Sequence, residues 1–113
     1  MEEKRKAVKT DWETRKMPKK HTEYTIKKHF SPEQIEILRF GHIPEVMEDK
    51  WFWYMEDDTL YIHRSWTGNC IYVLSFEAGN TIHVTANRDP QQYTCTDEQE
   101  DAAYLCALLD RWT

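Results

Sequence analysis

Arg64 and Trp66 carry the clearest chemical signal in the chain. They lie two residues apart in Leu60-Tyr61-Ile62-His63-Arg64-Ser65-Trp66. Alternation in this run predicts a strand, with Leu60, Ile62, Arg64 and Trp66 on one face and Tyr61, His63 and Ser65 on the other. A guanidinium on a mostly apolar face is costly unless it is paired or holds an anion. Beside an indole it can stack and grip a phosphate through two parallel donors. The competing reading is an internal salt bridge, to Asp89 or to an acid of the C-terminal helix. A second polar group, Asn87-Arg88-Asp89-Pro90-Gln91-Gln92-Tyr93, leaves the last predicted strand, and strand-end loops often carry function. Its structural alternative is an Asx-type turn before Pro90. Taken together, Arg64 and Arg88 would hold phosphate, and Trp66 and Tyr93 would stack. Asn87 and Asp89 would orient the polar groups of a ligand, and His63 is counted among the ligand-binding residues.

Other chemistries find little support in the spacing. His63 and His83 fall on different strands with no third ligand at a suggestive interval, and His21, His29 and His42 are scattered. No metal is expected. The three cysteines, Cys70, Cys95 and Cys106, are odd in number and include no Cys-x-x-Cys pair. They read as reduced thiols rather than a disulfide framework or a zinc site. Ser65 and Cys70 lack a nucleophile motif. Three glycines leave little room for a phosphate loop or a dinucleotide fingerprint. No cofactor and no catalytic residue is expected.

The elements that must position these residues follow from punctuation and period. Four strand-like runs cover residues 51–55, 60–66, 70–76 and 81–86, separated by turn residues at intervals of about ten. They predict an antiparallel meander. Ser31-Pro32-Glu33-Gln34 is a capping box with proline at the first helical position, and Gly41 is placed to end that short helix. Thr96-Asp97-Glu98-Gln99 reads as a second capping box. After it, Leu105, Leu108, Leu109 and Trp112 form one apolar stripe, with Ala102 above them. The expected fold is α+β: a four-stranded antiparallel meander with a C-terminal helix packed on one face and a short N-terminal helix. Residues 22–30, with Tyr24 and Ile26 alternating, could add a short edge strand. Trp51-Phe52-Trp53-Tyr54 points to both faces of the sheet. The face away from the C-terminal helix is expected to be covered, because residues 1–40 must pack somewhere; left open, it would be a binding surface for a base, a sugar or a partner.

Length and charge bound the rest. The 113 residues fit one domain, taken as 22–113, after a basic arm at 1–21 that is frayed or weakly helical. Residues 1–30 hold ten Lys/Arg against five acids, and residues 31–113 hold five against fifteen, so a +5 segment precedes a −10 body. The simplest use of that split is packing of the arm on its own acidic body. Nucleic acid is not an expected partner, because the body repels phosphate. No run is long and apolar enough for a membrane span or a signal peptide, so a cytoplasmic protein is expected.

The strings Lys50-Trp51-Phe52-Trp53-Tyr54, Leu60 through Tyr72 and Asn87-Arg88-Asp89-Pro90-Gln91-Gln92-Tyr93 resemble a family of small uncharacterised bacterial and phage domains. These are associated with ADP-ribose-processing proteins such as ADP-ribosylglycohydrolases and macrodomains. The likeness spans about Lys50 to Trp112, and it implies an adenine-nucleotide or ADP-ribose-like ligand. The leading expectation is therefore a non-enzymatic domain that binds an anionic, nucleotide-derived small molecule. A protein-interaction or immunity-like regulatory module ranks second. A small hydrolase using His63 or His83 with Asp89 ranks last.

Overall fold

Aromatic and β-branched residues, cut by Asp, Asn and Gly, set the strands. The computed structural model describes residues 7, 12, 14–45, 49–77, 80–93 and 97–113. In chain order the elements are β1 (His21–Lys27), α1 (Pro32–Phe40), β2 (Trp51–Glu56), β3 (Thr59–Arg64), β4 (Cys70–Glu77), β5 (Thr81–Asn87) and α2 (Glu98–Trp112). Strands β2 to β5 form the expected meander. The sheet has five strands rather than four, because β1 pairs antiparallel with β5, in the order β1-β5-β4-β3-β2. β1 reads weakly because an edge strand needs only one buried face. Tyr24 alone is buried in it, and Ile26 packs partly on the core.

Two local features set the register. Asp57 and Asp58 form a two-residue connection between Glu56 and Thr59, with Asp57 at φ 54°. Aspartate tolerates that left-handed conformation better than most residues. The hairpin therefore pairs Trp51 with Arg64. Between β3 and β4 the register shifts: Ile62 opposes Tyr72, but His63 opposes Cys70. Ile71 is the extra residue of a β-bulge. Without it Cys70 and Tyr72 would share a face. With it Tyr72 joins the helix-side core and Cys70 sits beside His63 on the other side.

Helix α2 covers one face. Leu105, Leu108 and Leu109 are buried against Trp51, Trp53, Leu60, Ile62, Tyr72, Leu74, Ile82 and Val84. Trp112 stacks on Trp53 with ring centroids 4.0 Å apart and meets Trp51 edge-on at 6.0 Å. Each large side chain buried this way contributes about 1.5–3 kcal/mol. The helix is capped by Asp97, whose Oδ1 accepts from the backbone N–H groups of Gln99 and Glu100. The expected cap at Thr96 is thus corrected by one position, and Thr96 itself lies outside the described residues. Helix α1 has the expected Ser31–Gln34 capping box and ends at Gly41.

The far face is covered by the chain's beginning. Trp12 stacks on Phe52 at 6.1 Å and donates its indole N–H to the Ser65 carbonyl at 2.7 Å. The Ala7 N–H donates to the Phe40 carbonyl at 2.7 Å, and the Arg15 N–H to the Gly68 carbonyl at 2.8 Å. What is described of residues 1–21 therefore lies along the sheet as a strap, and residues 14–18 form no helix. Among the described residues no helix is long and apolar enough to cross a membrane.

Gly41 is where strap, α1 and β2 meet. Its φ of 78° and ψ of −174° belong to a region essentially reserved for glycine. A Cβ there would lie 2.6 Å from the Ala7 Cβ and 2.6 Å from the Trp53 carbonyl oxygen. Gly41→Ala is expected to cost at least about 1–3 kcal/mol, read as a lowered midpoint in urea denaturation with unchanged slope. An unchanged midpoint contradicts this account.

Candidate functional site

The end of β3 and the loop after β5 come together. Ser65 donates its N–H to the Lys50 carbonyl at 2.9 Å and its hydroxyl to the Asp49 carbonyl at 2.5 Å. This places Lys50 beside Arg64. The chain then turns through Gly68, at φ 75°, whose N–H returns to the Arg64 carbonyl at 2.8 Å. Arg64 donates its own N–H to the Asn69 carbonyl at 2.9 Å. From the other side, Asp89 organises a turn: its side chain accepts from the Gln91 N–H, and its carbonyl from the N–H groups of Gln92 and Tyr93. Between these two pieces lies a cleft of about 270 Å³. Lys50 and Arg64 supply its cations. Trp66 and Thr67 form one wall, and Asn69, Gln91 and Gln92 supply amides.

Arg64 lies on the helix side of the sheet, as alternation predicts. Its guanidinium sits 4.5 Å from the centre of the Trp51 ring, on which it stacks. Among the described residues it has no carboxylate partner, so neither salt bridge considered from the sequence forms. Trp66 is 75% exposed. Among the described residues no acidic side chain lines the cleft.

The remaining sequence candidates serve other roles. Arg88 is buried against α2, with Nη1 2.9 Å from Oδ2 of Asp101, and only 14% of its side chain is exposed. It does not line the cleft. Asp101 is completely buried and accepts four bonds. Oδ1 takes the hydroxyls of Tyr72 at 2.5 Å and Tyr93 at 2.9 Å, and Oδ2 takes the Tyr24 hydroxyl at 3.3 Å besides Arg88. Tyr93 is thereby drawn into the core rather than presented as a stacking surface. Asn87 is also fully buried. Its Nδ2 donates to the Cys70 carbonyl at 2.8 Å and to Gln92 Oε1 at 2.9 Å, and its Oδ1 accepts from the Asp89 N–H. Asn87 thus holds Gln92, which lines the cleft. Asp89 shapes the turn.

His63 lies on the opposite face from Arg64. It donates from Nδ1 to the Gly68 carbonyl at 3.0 Å. His83 pairs with Glu23 at 2.8 Å on the outer side of β1 and β5. His63 opposes Cys70 and His83 opposes Ser75, on strands flanking β4 on either side, so at about 3.3 Å per residue they are offset by roughly 16 Å along the strand alone. His63, His83 and Asp89 therefore do not assemble. Among the described residues no three His, Cys, Asp or Glu side chains converge as a metal site. Cys70 and Cys106 are free thiols. Burial pushes Cys70 up to about 12, and burial also raises Cys106 against the opposing charge of Lys28. Cys95 lies outside the described residues.

Gln91 and Gln92 belong to the polar loop that the sequence marks, whereas Lys50, Thr67 and Asn69 do not stand out by type. Lys50 was within reach of hairpin arithmetic, because a two-residue turn at Asp57-Asp58 places it opposite Ser65. Asp101 was also visible as the one acid in the apolar stripe 101, 105, 108, 109 and 112 of α2. No family model, curated protein or solved structure matches the chain.

Two predictions follow from the buried node. Removing one partner of a buried ion pair leaves an uncompensated charge. Asp101→Asn is therefore expected to cost about 3–5 kcal/mol in denaturant unfolding. Adding Arg88→Met to it is expected to recover part of that loss, whereas simple additivity within about 0.5 kcal/mol contradicts the pairing. The second concerns alkaline pH. Burial first, then the Asp101 carboxylate, holds the Tyr24 and Tyr72 hydroxyls far above the ordinary tyrosine value, and burial with Glu56 does the same for Tyr54. The unfolded chain ionises near about 10 while these groups stay protonated in the folded protein. Stability is then complete below that pH and falls as pH rises above it. In a spectrophotometric titration, ionisation of these three tyrosines should appear only together with unfolding. Their ionisation in a still-folded protein contradicts the burial.

Proposed function

We propose that the protein is a binding domain for a small anion that carries a flat, nucleotide-like group, held in the cleft between residues 64–69 and 91–92. One observation carries this reading. Residues 31–113 contain five Lys/Arg among fifteen acids. Arg39 pairs with Asp58 and Arg88 with Asp101. Lys50 and Arg64 instead line one cleft, to which none of the described acids contributes. In so acidic a body, a pair of cations without carboxylate neighbours favours an anion from outside.

The parts divide the work. Arg64, held flat by Trp51, offers a pre-organised fork for phosphate or carboxylate, and Lys50 adds a mobile charge at the rim. Exposed Trp66 supplies a stacking surface for a base. Asn69, Gln91 and Gln92 offer the donors and acceptors that would read polar edges. A nucleotide-derived ligand such as ADP-ribose satisfies all three requirements. Nothing in this reading requires turnover.

Calorimetric and thermal-shift titration against a panel of nucleotides including ADP-ribose tests it. A stabilising ligand is expected from the panel. Arg64→Ala should weaken it at least about tenfold, the effect of losing a charge-assisted hydrogen bond worth about 1.5–3 kcal/mol. Trp66→Ala should remove a comparable stacking contribution of about 1–3 kcal/mol. Failure of the wild-type protein to bind any member overturns the reading.

A further inference from the structure

The strap formed by the chain's beginning does not seal the far face of the sheet. Beneath residues 14–17 lies a second cleft of about 270 Å³. Its floor is made of Tyr54, Tyr61, His63 and Cys70, with Arg15 and Lys16 at the mouth. Tyr54 lies nearly parallel to both neighbours, with centroids 5.0 Å from Tyr61 and 5.8 Å from His63. The β-bulge at Ile71 turns Cys70 onto this floor. His63 is fixed by Gly68, whose carbonyl also holds the strap through the Arg15 N–H.

Protein interiors rarely leave such space beside buried aromatic rings, because the lining loses its packing contacts. Val73 also borders the cleft, and a larger residue there would fill it without touching the helix-side core. The mouth bears two exposed cations, and among the described residues they have no acidic partner and no acid lines the cleft. An apolar, ring-lined floor below a cationic rim is complementary to a compact anion with an apolar body.

We infer that this second cleft is a binding site for a small aryl carboxylate, its ring on the Tyr54–Tyr61–His63 floor and its carboxylate at Arg15 and Lys16. The site lies on the opposite face of the sheet from the Arg64 cleft and stands independently of it. The Tyr54 hydroxyl, protonated at neutral pH like that of any tyrosine, adds a hydrogen-bond donor to the floor.

The experiment is a titration of the full chain with 2-naphthoate, followed by amide chemical shifts, with 2-naphthamide as the neutral control. Saturable shifts are expected at Gly68, Cys70 and Val73, and weaker binding for the amide. Arg15→Ala/Lys16→Ala, both exposed positions, should weaken naphthoate at least about tenfold. Val73→Phe should abolish binding by filling the space while the protein stays folded. Arg64→Ala should leave binding unchanged, which separates this site from the nucleotide cleft. The inference is overturned if the wild-type protein shows no saturable shift at these residues. It is equally overturned if the Arg15/Lys16 variant binds as tightly as wild type, or if Arg64→Ala removes the binding.

Discussion

Asp101 is the group on which the rest of the structure depends. It is a fully buried carboxylate, and such a charge survives only where hydrogen bonds and an opposite charge replace water. Here the replacement comes from four places in the chain: Tyr24 of β1, Tyr72 of β4, and Arg88 and Tyr93 after β5. The node therefore joins α2 to the sheet, attaches the edge strand, and anchors both ends of the loop 88–93. It determines what remains for function. By consuming Arg88 and Tyr93, it leaves Gln91 and Gln92 as the loop's contribution to the cleft.

The cleft is thus a consequence of register and anchoring. The two-residue turn at Asp57-Asp58 brings Trp51 opposite Arg64, and the ring supports the guanidinium from below. Ser65 draws Lys50 alongside. Asn87, itself buried, holds both Cys70 and Gln92, and so links the start of β4 to the loop that faces it. Rigid strands and satisfied amides carry the groups that would meet a ligand, which is the arrangement that pre-organised binding needs.

Much of this was legible from residue type and period. The Ser31 capping box, Gly41, the meander, the apolar stripe of α2 and the covering of the aromatic run all follow local rules that tertiary packing did not override. The side of the sheet taken by Arg64 followed from alternation. The alternation of Tyr24 and Ile26 marked β1 as a possible edge strand, half polar because only one face is buried. Two things were hidden for identifiable reasons. The bulge at Ile71 inverts the phase of β4, which no alternation rule anticipates. The choice between Arg64 and Arg88 as the internally paired arginine depended on where α2 lands. Its solution lay in Asp101, an acid among leucines whose position in the stripe signals a buried partner.

The central claim is that Arg88 is committed to the interior while Arg64 is open to ligand. Side-chain Nε–H spectra of the two arginines test it directly. Arg88 should exchange slowly with solvent and stay fixed on addition of ADP-ribose or another nucleotide that binds, while the Arg64 resonance moves with saturation. A response at Arg88 with none at Arg64 contradicts the account.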